Sequence, residues 1–233
     1  MAPKRKKAPA LPRLPPGARL RAQLTVERLR DLYPAAVTEL NHVDPFQLLI
    51  AVILSAQTTD KLVNLITPEL FRRYPAAPDL AAADPAVVEA LIKPTGYFRA
   101  KTRSIIAASQ KLVELFGGVV PNNIDDLVTL PGIGRKTANV ILGVGFGLPG
   151  FAVDTHVERL TNLLKLTSSR DPVKIERQVC SIVPQEEWTG LSLRLILHGR
   201  RICIARRPRC EECVLNDFCP SSRTRPKGRN RPR

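Results

Sequence analysis

The sequence lacks any apolar run long enough to cross a membrane. Its longest nearly apolar stretch, Phe46 to Leu54, covers nine residues and includes Gln47, whereas a membrane-spanning helix needs about 20. The basic N-terminus is also not followed by the apolar segment of about 7–15 residues that a secretory signal contains. We therefore expect a protein outside the membrane that remains intracellular.

Acidic residues are absent from both ends of the chain. Residues 1–22 contain seven Lys and Arg residues and residues 221–233 contain six, with no Asp or Glu. The net charge of +15 therefore sits mainly in these tails, because the 23 basic residues between them nearly balance the 21 acidic ones. Basic, proline-containing tails are expected to be disordered and to attract a polyanion through counterion release. Nucleic acid is the expected partner, and a solubilising or targeting tail is the alternative.

Strand-like alternation is scarce, and apolar residues instead recur at helical spacing, as in Leu160, Leu163 and Leu164. Proline and glycine divide the chain into segments of about 10–20 residues, which predicts an all-α protein of about ten helices. Helix starts with N-caps are expected at Thr58, Asp125, Asp154 and Asp171.

The cysteines lack the two close pairs typical of a zinc ribbon. Cys203, Cys210, Cys213 and Cys219 follow the pattern C-x6-C-x2-C-x5-C, with only one close pair. Disulfides are not expected in a reducing compartment, so a metal site is the better interpretation. The wide outer gaps favour an iron–sulfur cluster over tetrahedral zinc, which remains the alternative. Cys180 stands apart and is expected to be a small core residue.

Arginines surround the cysteine motif, including Arg206, Arg207 and Arg209. They predict a loop that contacts phosphates, although they would also compensate the charge of four thiolates.

Two glycine motifs resemble phosphate loops without satisfying them. Residues 130–137 lack the G-x4-G-K-[ST] spacing of a nucleotide-binding loop, and residues 145–150 fit G-x-G-x-x-G but follow a helix instead of a strand. Residues 130–137 are instead predicted to form a tight glycine turn between two helices. Gly132 and Gly134 allow close backbone approach, and the amides at the start of the second helix suit a DNA phosphate.

Lys136 and Asp154 are the candidate catalytic residues. Lys136 lies in the first turn of the helix after the glycine turn, where an amine is a candidate nucleophile, although a lysine taken by itself there more often binds phosphate or is solvated. Asp154 precedes a helix, so its simplest role is that of an N-cap. The roles of cap and catalyst are compatible.

Taken together, these motifs resemble the endonuclease III family, helix-hairpin-helix DNA glycosylases with an iron–sulfur cluster. The resemblance extends from about residue 22 to 220, and the segments that carry it are 55–57, 130–139, 153–156, 197–200 and the four cysteines. It implies two helical domains with a DNA-binding cleft between them and a [4Fe-4S] cluster in a C-terminal loop. A six-helix domain would span 38–148, and residues 22–37 would join 149–220 in a cluster-bearing domain. Residues 1–21 and 221–233 would be basic disordered tails.

The family excises oxidised pyrimidines from double-stranded DNA and nicks the resulting abasic site. By resemblance, Lys136 would form a Schiff base at C1′ that permits β-elimination, with Asp154 as the catalytic carboxylate. We expect a monomer that acts in the cytoplasm, at the nucleoid in a bacterium.

The resemblance also assigns residues to DNA distortion. Gln57 would fill the space of the flipped nucleotide, Arg135 would contact DNA, and the residue after Gly96 would wedge the opposite strand. That residue is Tyr97, where the family more often has leucine; the alternative is packing of Tyr97 and Phe98 at a helix start. Ser55 and His156 are possible pocket residues, or structural ones.

Two other functions fit parts of the pattern. Related cluster-bearing enzymes remove adenine or mismatched pyrimidines without a lyase step, but they generally lack the lysine, and the adenine-specific branch adds a C-terminal domain. A paralogue that binds damage and cleaves poorly is the alternative outside that enzyme class.

Overall fold

The computed structural model describes residues 13–224, which fold into eleven α-helices without any strand. The predicted all-α class is confirmed. The helices are α1 Ala18–Leu32, α2 Pro45–Leu54, α3 Asp60–Arg73, α4 Ala77–Ala81, α5 Pro85–Ile92, α6 Phe98–Phe116, α7 Ile124–Leu127, α8 Arg135–Val140, α9 Thr155–Leu163, α10 Pro172–Cys180 and α11 Trp188–Arg201. A π-helical segment, Ile141–Gly145, continues α8, and 3₁₀ turns lie at Lys93–Thr95, Gln185–Glu187 and Cys210–Glu212. None of these helices has the length and apolar character to cross a membrane.

The described chain divides into two compact units. Val37–Ala152 forms one, which we call the hairpin unit, and residues 13–36 combine with 153–224 in the other, which we call the cysteine unit.

Helix α2 lies at the centre of the hairpin unit. Its residues Leu48, Leu49 and Ile50 are fully buried, as expected of a helix that is apolar on all sides. The helix starts where Asp44 Oδ1 accepts a hydrogen bond from the Gln47 amide at 2.8 Å. Helix α6 covers this core with its buried face and also packs against α4 and α5.

The cysteine unit is built on contacts of α11 with α1 and α9, and of α9 with α10. Its buried side chains come from one face of each helix, for example Leu29, Leu160 and Leu195. This amphipathic packing orients α9, which begins directly after Asp154.

The predicted tail boundaries were wrong on both sides. Residues 18–21 form the first turn of α1 because Ala18 and Ala22 are buried. Arg21 is held there, since its Nε donates to the Leu164 carbonyl at 2.7 Å. At the other end, the Ser221 hydroxyl donates to the Leu163 carbonyl at 2.9 Å. The remaining tail residues, 1–12 and 225–233, lie outside the described residues, and so does their predicted disorder.

Two of the four predicted N-caps are confirmed. Asp154 and Asp171 cap α9 and α10 through their carboxylates. Helix α3 instead begins after Thr59 and α7 after Asn123, each of which accepts a cap hydrogen bond.

Cys180 is half-buried at the end of α10 and is not a core residue. The buried face of that helix consists of Ile175, Gln178 and Val179, and residue 180 falls at its edge.

Candidate functional site

The glycine turn lies between α7 and α8, as predicted. Gly132 has φ +81°, which a residue with a side chain rarely adopts. A Cβ there would also lie 3.2 Å from the Ser104 Cβ. Glycine at 132 is therefore required by the protein's own backbone.

Gly134 differs from Gly132 because neither its backbone conformation nor any contact among residues 13–224 requires glycine there. It is the N-cap of α8 with φ −91° and ψ 173°, a conformation open to any residue. A Cβ built at Gly134 would meet no atom within 4 Å. The missing side chain therefore leaves open space outside the protein at the start of α8, where a ligand could approach the backbone.

Lys136 is exposed as the second residue of α8, and Arg135 before it is half-buried. The helix is fixed from its other side, because Asn139 is buried and its side-chain oxygen accepts a hydrogen bond from the Phe151 amide at 3.1 Å. Gly150 passes so close that a Cβ there would overlap the Asn139 carbonyl oxygen. The amine of Lys136 thus extends from a well-anchored helix.

Gln57 and Tyr97 share an unusual backbone conformation. Both are exposed and left-handed, with φ 54° and 48°, and Lys165 is the one other non-glycine residue with positive φ in the described chain. Left-handed conformations cost L-residues free energy and cluster at functional positions. Tyr97 is 69% exposed, whereas Phe98 packs against the core. Helix-start packing therefore explains Phe98 and does not explain Tyr97.

Ser55 has a clear structural role at the end of α2. Its hydroxyl donates to the Val52 carbonyl at 2.9 Å, and its half-buried position is the helix C-cap.

Asp154 uses one carboxylate oxygen to cap α9. Oδ1 accepts hydrogen bonds from the amides of His156 and Val157, both at 2.9 Å, so Oδ2 takes no part in the cap. Asp154 belongs to the cysteine unit and Lys136 to the hairpin unit.

His156 is half-buried and is the second residue of α9. A Cβ on Gly199 would lie 2.9 Å from its Nδ1, and Arg159 Nη2 lies 3.3 Å from the same nitrogen. These contacts place His156 in the packing of α9 against α11.

The four predicted cysteine ligands line one cavity. Cys203, Cys210, Cys213 and Cys219 border a space of about 160 Å³. Among residues 13–224, no group of three or more His, Cys, Asp or Glu side chains is arranged to hold a metal ion. Four thiols spread around a cavity fit a cluster of several atoms better than a single zinc ion.

The surroundings of Cys203 and Cys213 shift the pKa values of these two thiols. Burial raises the pKa of Cys213 to about 11 and also raises the pKa of Cys203, while the Arg159 guanidinium acts in the opposite direction on Cys203. Arg159 Nη1 donates to the Cys203 carbonyl at 2.5 Å and lies 3.7 Å from its Sγ. Sequence reasoning missed Arg159. The local indication was that Arg159 lies three residues after His156, which places both on the same face of α9.

His198 is a second residue that sequence reasoning missed as a contact of the cysteines. It is 1% exposed, with Nε2 3.3 Å from Cys213 Sγ and Nδ1 3.3 Å from the Tyr33 hydroxyl. Burial, with a smaller contribution from Arg159, lowers its pKa to about 4. A neutral imidazole between these groups can donate to the sulfur while accepting from the tyrosine.

The predicted arginines differ from one another. Arg206 and Arg207 are exposed and form no ion pair within the described range. Arg209 is bound to its own loop, because it pairs with Glu212 at 3.0 Å and donates to the Arg201 carbonyl. Arg206 and Arg207 therefore fit a phosphate-contacting surface better than Arg209 does.

Comparison with known proteins defines the class. Residues 50–185 match the family model described as HhH-GPD superfamily base excision DNA repair protein, and residues 203–219, which start and end on cysteine, match the iron–sulfur binding domain of endonuclease III. The chain is therefore a helix-hairpin-helix DNA glycosylase of base excision repair with an iron–sulfur domain.

The individual proteins that this chain resembles often carry the name endonuclease III. Endonuclease III of Synechocystis sp. is 50% identical over 83% of this chain and 89% of its own length, and endonuclease III of Escherichia coli (strain K12) is 44% identical over 82% and 91%. The structure of a trapped endonuclease III–DNA covalent intermediate superposes with a TM-score of 0.82 at 40% identity, covering 87% of this chain and 96% of that one. A thermostable thymine-DNA glycosylase, at 22% identity and a TM-score of 0.79, shows the shared fold alone.

The chain belongs to the endonuclease III family. It is a DNA glycosylase and abasic-site lyase with a [4Fe-4S] cluster, as the resemblance implied.

Proposed function

We propose that Lys136 is the nucleophile with which this enzyme removes oxidised pyrimidines and then nicks the abasic strand. One observation carries the assignment. Lys136 is an exposed amine on an anchored helix, two residues after Gly134, whose missing side chain leaves room for a DNA backbone. An amine held beside a phosphate site lies within reach of the sugar of the same nucleotide.

The reaction uses the amine twice. Nζ bonds to C1′ as the glycosidic bond breaks, and the base leaves with the electron pair of that bond and a proton. One proton leaves the amine, the C1′–O4′ bond of the sugar ring breaks, and O4′ takes up a proton, which gives a protonated imine at C1′. The imine withdraws electrons, so a C2′ proton can leave and the C3′–O bond breaks with release of the 3′ phosphate.

Asp154 supplies the carboxylate in this proposal. Because Oδ1 is committed to the amides of His156 and Val157, Oδ2 is the oxygen that would take the proton of the amine or stabilise positive charge on the sugar. The cap fixes the orientation of the carboxylate and leaves Oδ2 as the oxygen that would accept a proton. One side chain therefore serves both as cap and as catalyst.

Gln57 and Tyr97 act on the DNA in this proposal. Extruding a base costs a few kcal/mol, and exposed side chains on strained turns are suited to fill the gap. Gln57 would replace the flipped nucleotide, and the Tyr97 ring would insert into the opposite strand as a wedge that unstacks neighbouring bases.

The four cysteines Cys203, Cys210, Cys213 and Cys219 are the proposed cluster ligands. When bound, the cluster supplies Fe–S bonds that cross-link a loop with little core of its own. Arg206 and Arg207 on this loop, with Gly132, Gly134 and Arg135 on the hairpin, would contact DNA phosphates. We infer that one chain suffices, because every assigned residue comes from it, so a monomer would act on intracellular duplex DNA. Sedimentation at micromolar concentration tests the oligomeric state.

Borohydride trapping tests the central assignment. A duplex with thymine glycol is incubated with wild type, Lys136→Gln and Lys174→Gln, the last changing an exposed lysine on α10. Wild type and Lys174→Gln should form a reduced covalent adduct, and Lys136→Gln should form none while still binding the duplex. An adduct with Lys136→Gln would exclude Lys136 as the nucleophile. Binding without an adduct in wild type would instead favour a damage-binding paralogue.

A further inference from the structure

Lys101 is a buried cation in the hairpin unit that the proposed chemistry does not use. It lies on α6 in phase with the buried residues Ile105 and Leu112 and is 5% exposed. No carboxylate forms an ion pair with it within residues 13–224, and burial lowers its pKa. A lysine in this setting is costly unless its amine makes strong hydrogen bonds.

The amine of Lys101 joins two loops. Nζ donates to the Thr58 hydroxyl at 2.7 Å and to the Thr95 carbonyl at 2.8 Å. The Thr58 hydroxyl in turn donates to the same Thr95 carbonyl at 2.5 Å. The three groups form a closed triangle of hydrogen bonds, two of which are strengthened by the ammonium charge.

Each group in this triangle lies close to Gln57 or Tyr97, which we call the wedge residues. Thr58 directly follows Gln57, and Thr95 precedes Tyr97 by two positions, across Gly96. The backbone amide of Lys101 also donates to the Tyr97 carbonyl at 3.0 Å. A single residue therefore contacts the turns of both left-handed side chains.

We propose that Lys101 is a positioning residue that holds Gln57 and Tyr97 in a fixed relative geometry, so that the two side chains enter the duplex together. We call this arrangement the clamp. The proposal rests on the wedge roles proposed above. Two loops that moved independently would each lose entropy on insertion, whereas a preorganised pair has lost it before DNA binds. The strained φ of both residues is consistent with a backbone that its surroundings hold in place.

The test compares Lys101→Met, which keeps the apolar stem and removes the donors, with Gln110→Met. Gln110 is an exposed residue of α6 that donates to the Ala81 carbonyl at 3.2 Å. Gln110→Met therefore also removes a side-chain hydrogen bond from α6 to a backbone carbonyl, but not one that involves the loops of Gln57 and Tyr97. Hydrogen exchange of residues 55–58 and 95–98 in the free protein should speed up about 10- to 100-fold in Lys101→Met, in both loops. Gln110→Met should leave both loops unchanged. Exchange that is unaltered, or faster in one loop alone, would overturn the clamp.

A second measurement reports the DNA step without chemistry. The duplex carries a tetrahydrofuran abasic analogue and 2-aminopurine in the opposite strand, whose fluorescence rises when a wedge unstacks it. Lys101→Met should lower this rise at saturating protein, and excision of thymine glycol should slow more when it is paired with adenine than when it is mismatched. Loosened loops with a full fluorescence rise would reduce Lys101 to a stabilising residue and overturn the proposal.

Thr58 provides a second pair of variants should Lys101→Met fold poorly. Thr58→Val removes the hydroxyl and should reproduce the loosening, while Thr58→Ser keeps it and should not. Exchange and fluorescence need no bond cleavage, so they test the clamp even if wild type forms no borohydride adduct. Loss of the adduct would count against the proposed function, and unchanged exchange would count against the clamp.

Discussion

Arg159 and Cys203 are joined by a hydrogen bond of 2.5 Å from the guanidinium to the backbone carbonyl. Arg159 belongs to α9, the helix that Asp154 caps. The cysteine loop is therefore attached to the helix that carries the proposed catalytic carboxylate, and the attachment places a positive charge beside a proposed ligand.

Arg159→Met should weaken cluster retention. The change removes a charge-assisted hydrogen bond and the cation that favours the Cys203 thiolate. Wild type should be yellow-brown with about four irons per chain, and the variant should lose iron to a chelator at least several-fold faster. Arg177→Met, an exposed arginine on α10, is the control. Equal rates of iron loss in all three proteins would show that Arg159 does not support the ligand loop.

Asp154→Asn should separate capping from catalysis. Asparagine caps a helix as well as aspartate does, so the free energy of unfolding should barely change. Single-turnover excision should fall about 10²- to 10⁴-fold with the loss of the carboxylate. Asp171→Asn, which alters the equivalent cap of α10, should leave the rate intact. A normal rate in Asp154→Asn would leave Asp154 as a cap alone.

Gly132→Ala should lower the stability of the protein, whereas Gly134→Ala should lower its affinity for DNA. Alanine at 132 must adopt φ +81° against Ser104, so it should destabilise the protein by about 1–2 kcal/mol. Alanine at 134 fits the backbone and open space, so stability should be kept while affinity for duplex DNA falls. Thermal unfolding and DNA titration of both variants provide the comparison. Full affinity in Gly134→Ala would mean that no phosphate approaches there.

Tyr97→Gly should stabilise the folded protein and slow the excision of a paired lesion. Glycine relieves a left-handed φ of 48°, and little packing is lost because Tyr97 is 69% exposed. The free energy of unfolding should rise by up to about 1 kcal/mol, and excision of a paired lesion should slow. Tyr97→Leu should retain most of the activity if any apolar wedge suffices. An unimpaired Tyr97→Gly enzyme would contradict the wedge role.

Deleting residues 1–12 and 225–233 should change electrostatics without changing chemistry. The deletion removes nine Lys and Arg residues, and each phosphate contact contributes about −0.9 to the slope of log K against log salt. Affinity for damaged and undamaged duplex should fall alike, with a shallower salt dependence and an unchanged rate at saturating enzyme. A loss restricted to damaged DNA would show instead that a tail takes part in recognising the lesion.

Local patterns were enough to predict the helices, the glycine turn and the cysteine loop. Each depends on residues close in sequence: apolar spacing sets a helix face, and glycine permits the turn at 132. The confirmed caps, Asp154 and Asp171, also follow this rule, because each carboxylate bonds to backbone amides two or three residues further along the chain.

Tertiary hydrogen bonds explain why the predicted cap at Thr58 was wrong. Thr58 and Thr59 are adjacent and chemically alike, yet Thr59 caps α3 because the Thr58 hydroxyl is used by Lys101 and Thr95. Propensity could not choose between them. The same is true of Lys101 and Arg159, whose partners lie 43 and 44 positions away. The local indications were the helical phase of Lys101, on the buried face of α6, and the spacing of Arg159 from His156 on α9.

Gly150 bears on how substitution data for this chain are interpreted. Because a Cβ there would overlap the Asn139 carbonyl, any replacement must displace the backbone that anchors the lysine helix. A screen that measures only cell survival would not distinguish substitutions at 134 from substitutions at 150. Position 134 nevertheless faces open space, whereas position 150 faces the backbone of Asn139. Protein abundance separates the two positions, since variants at 150 should be depleted from the cell, and variants at 134 should accumulate to normal levels with weakened DNA binding.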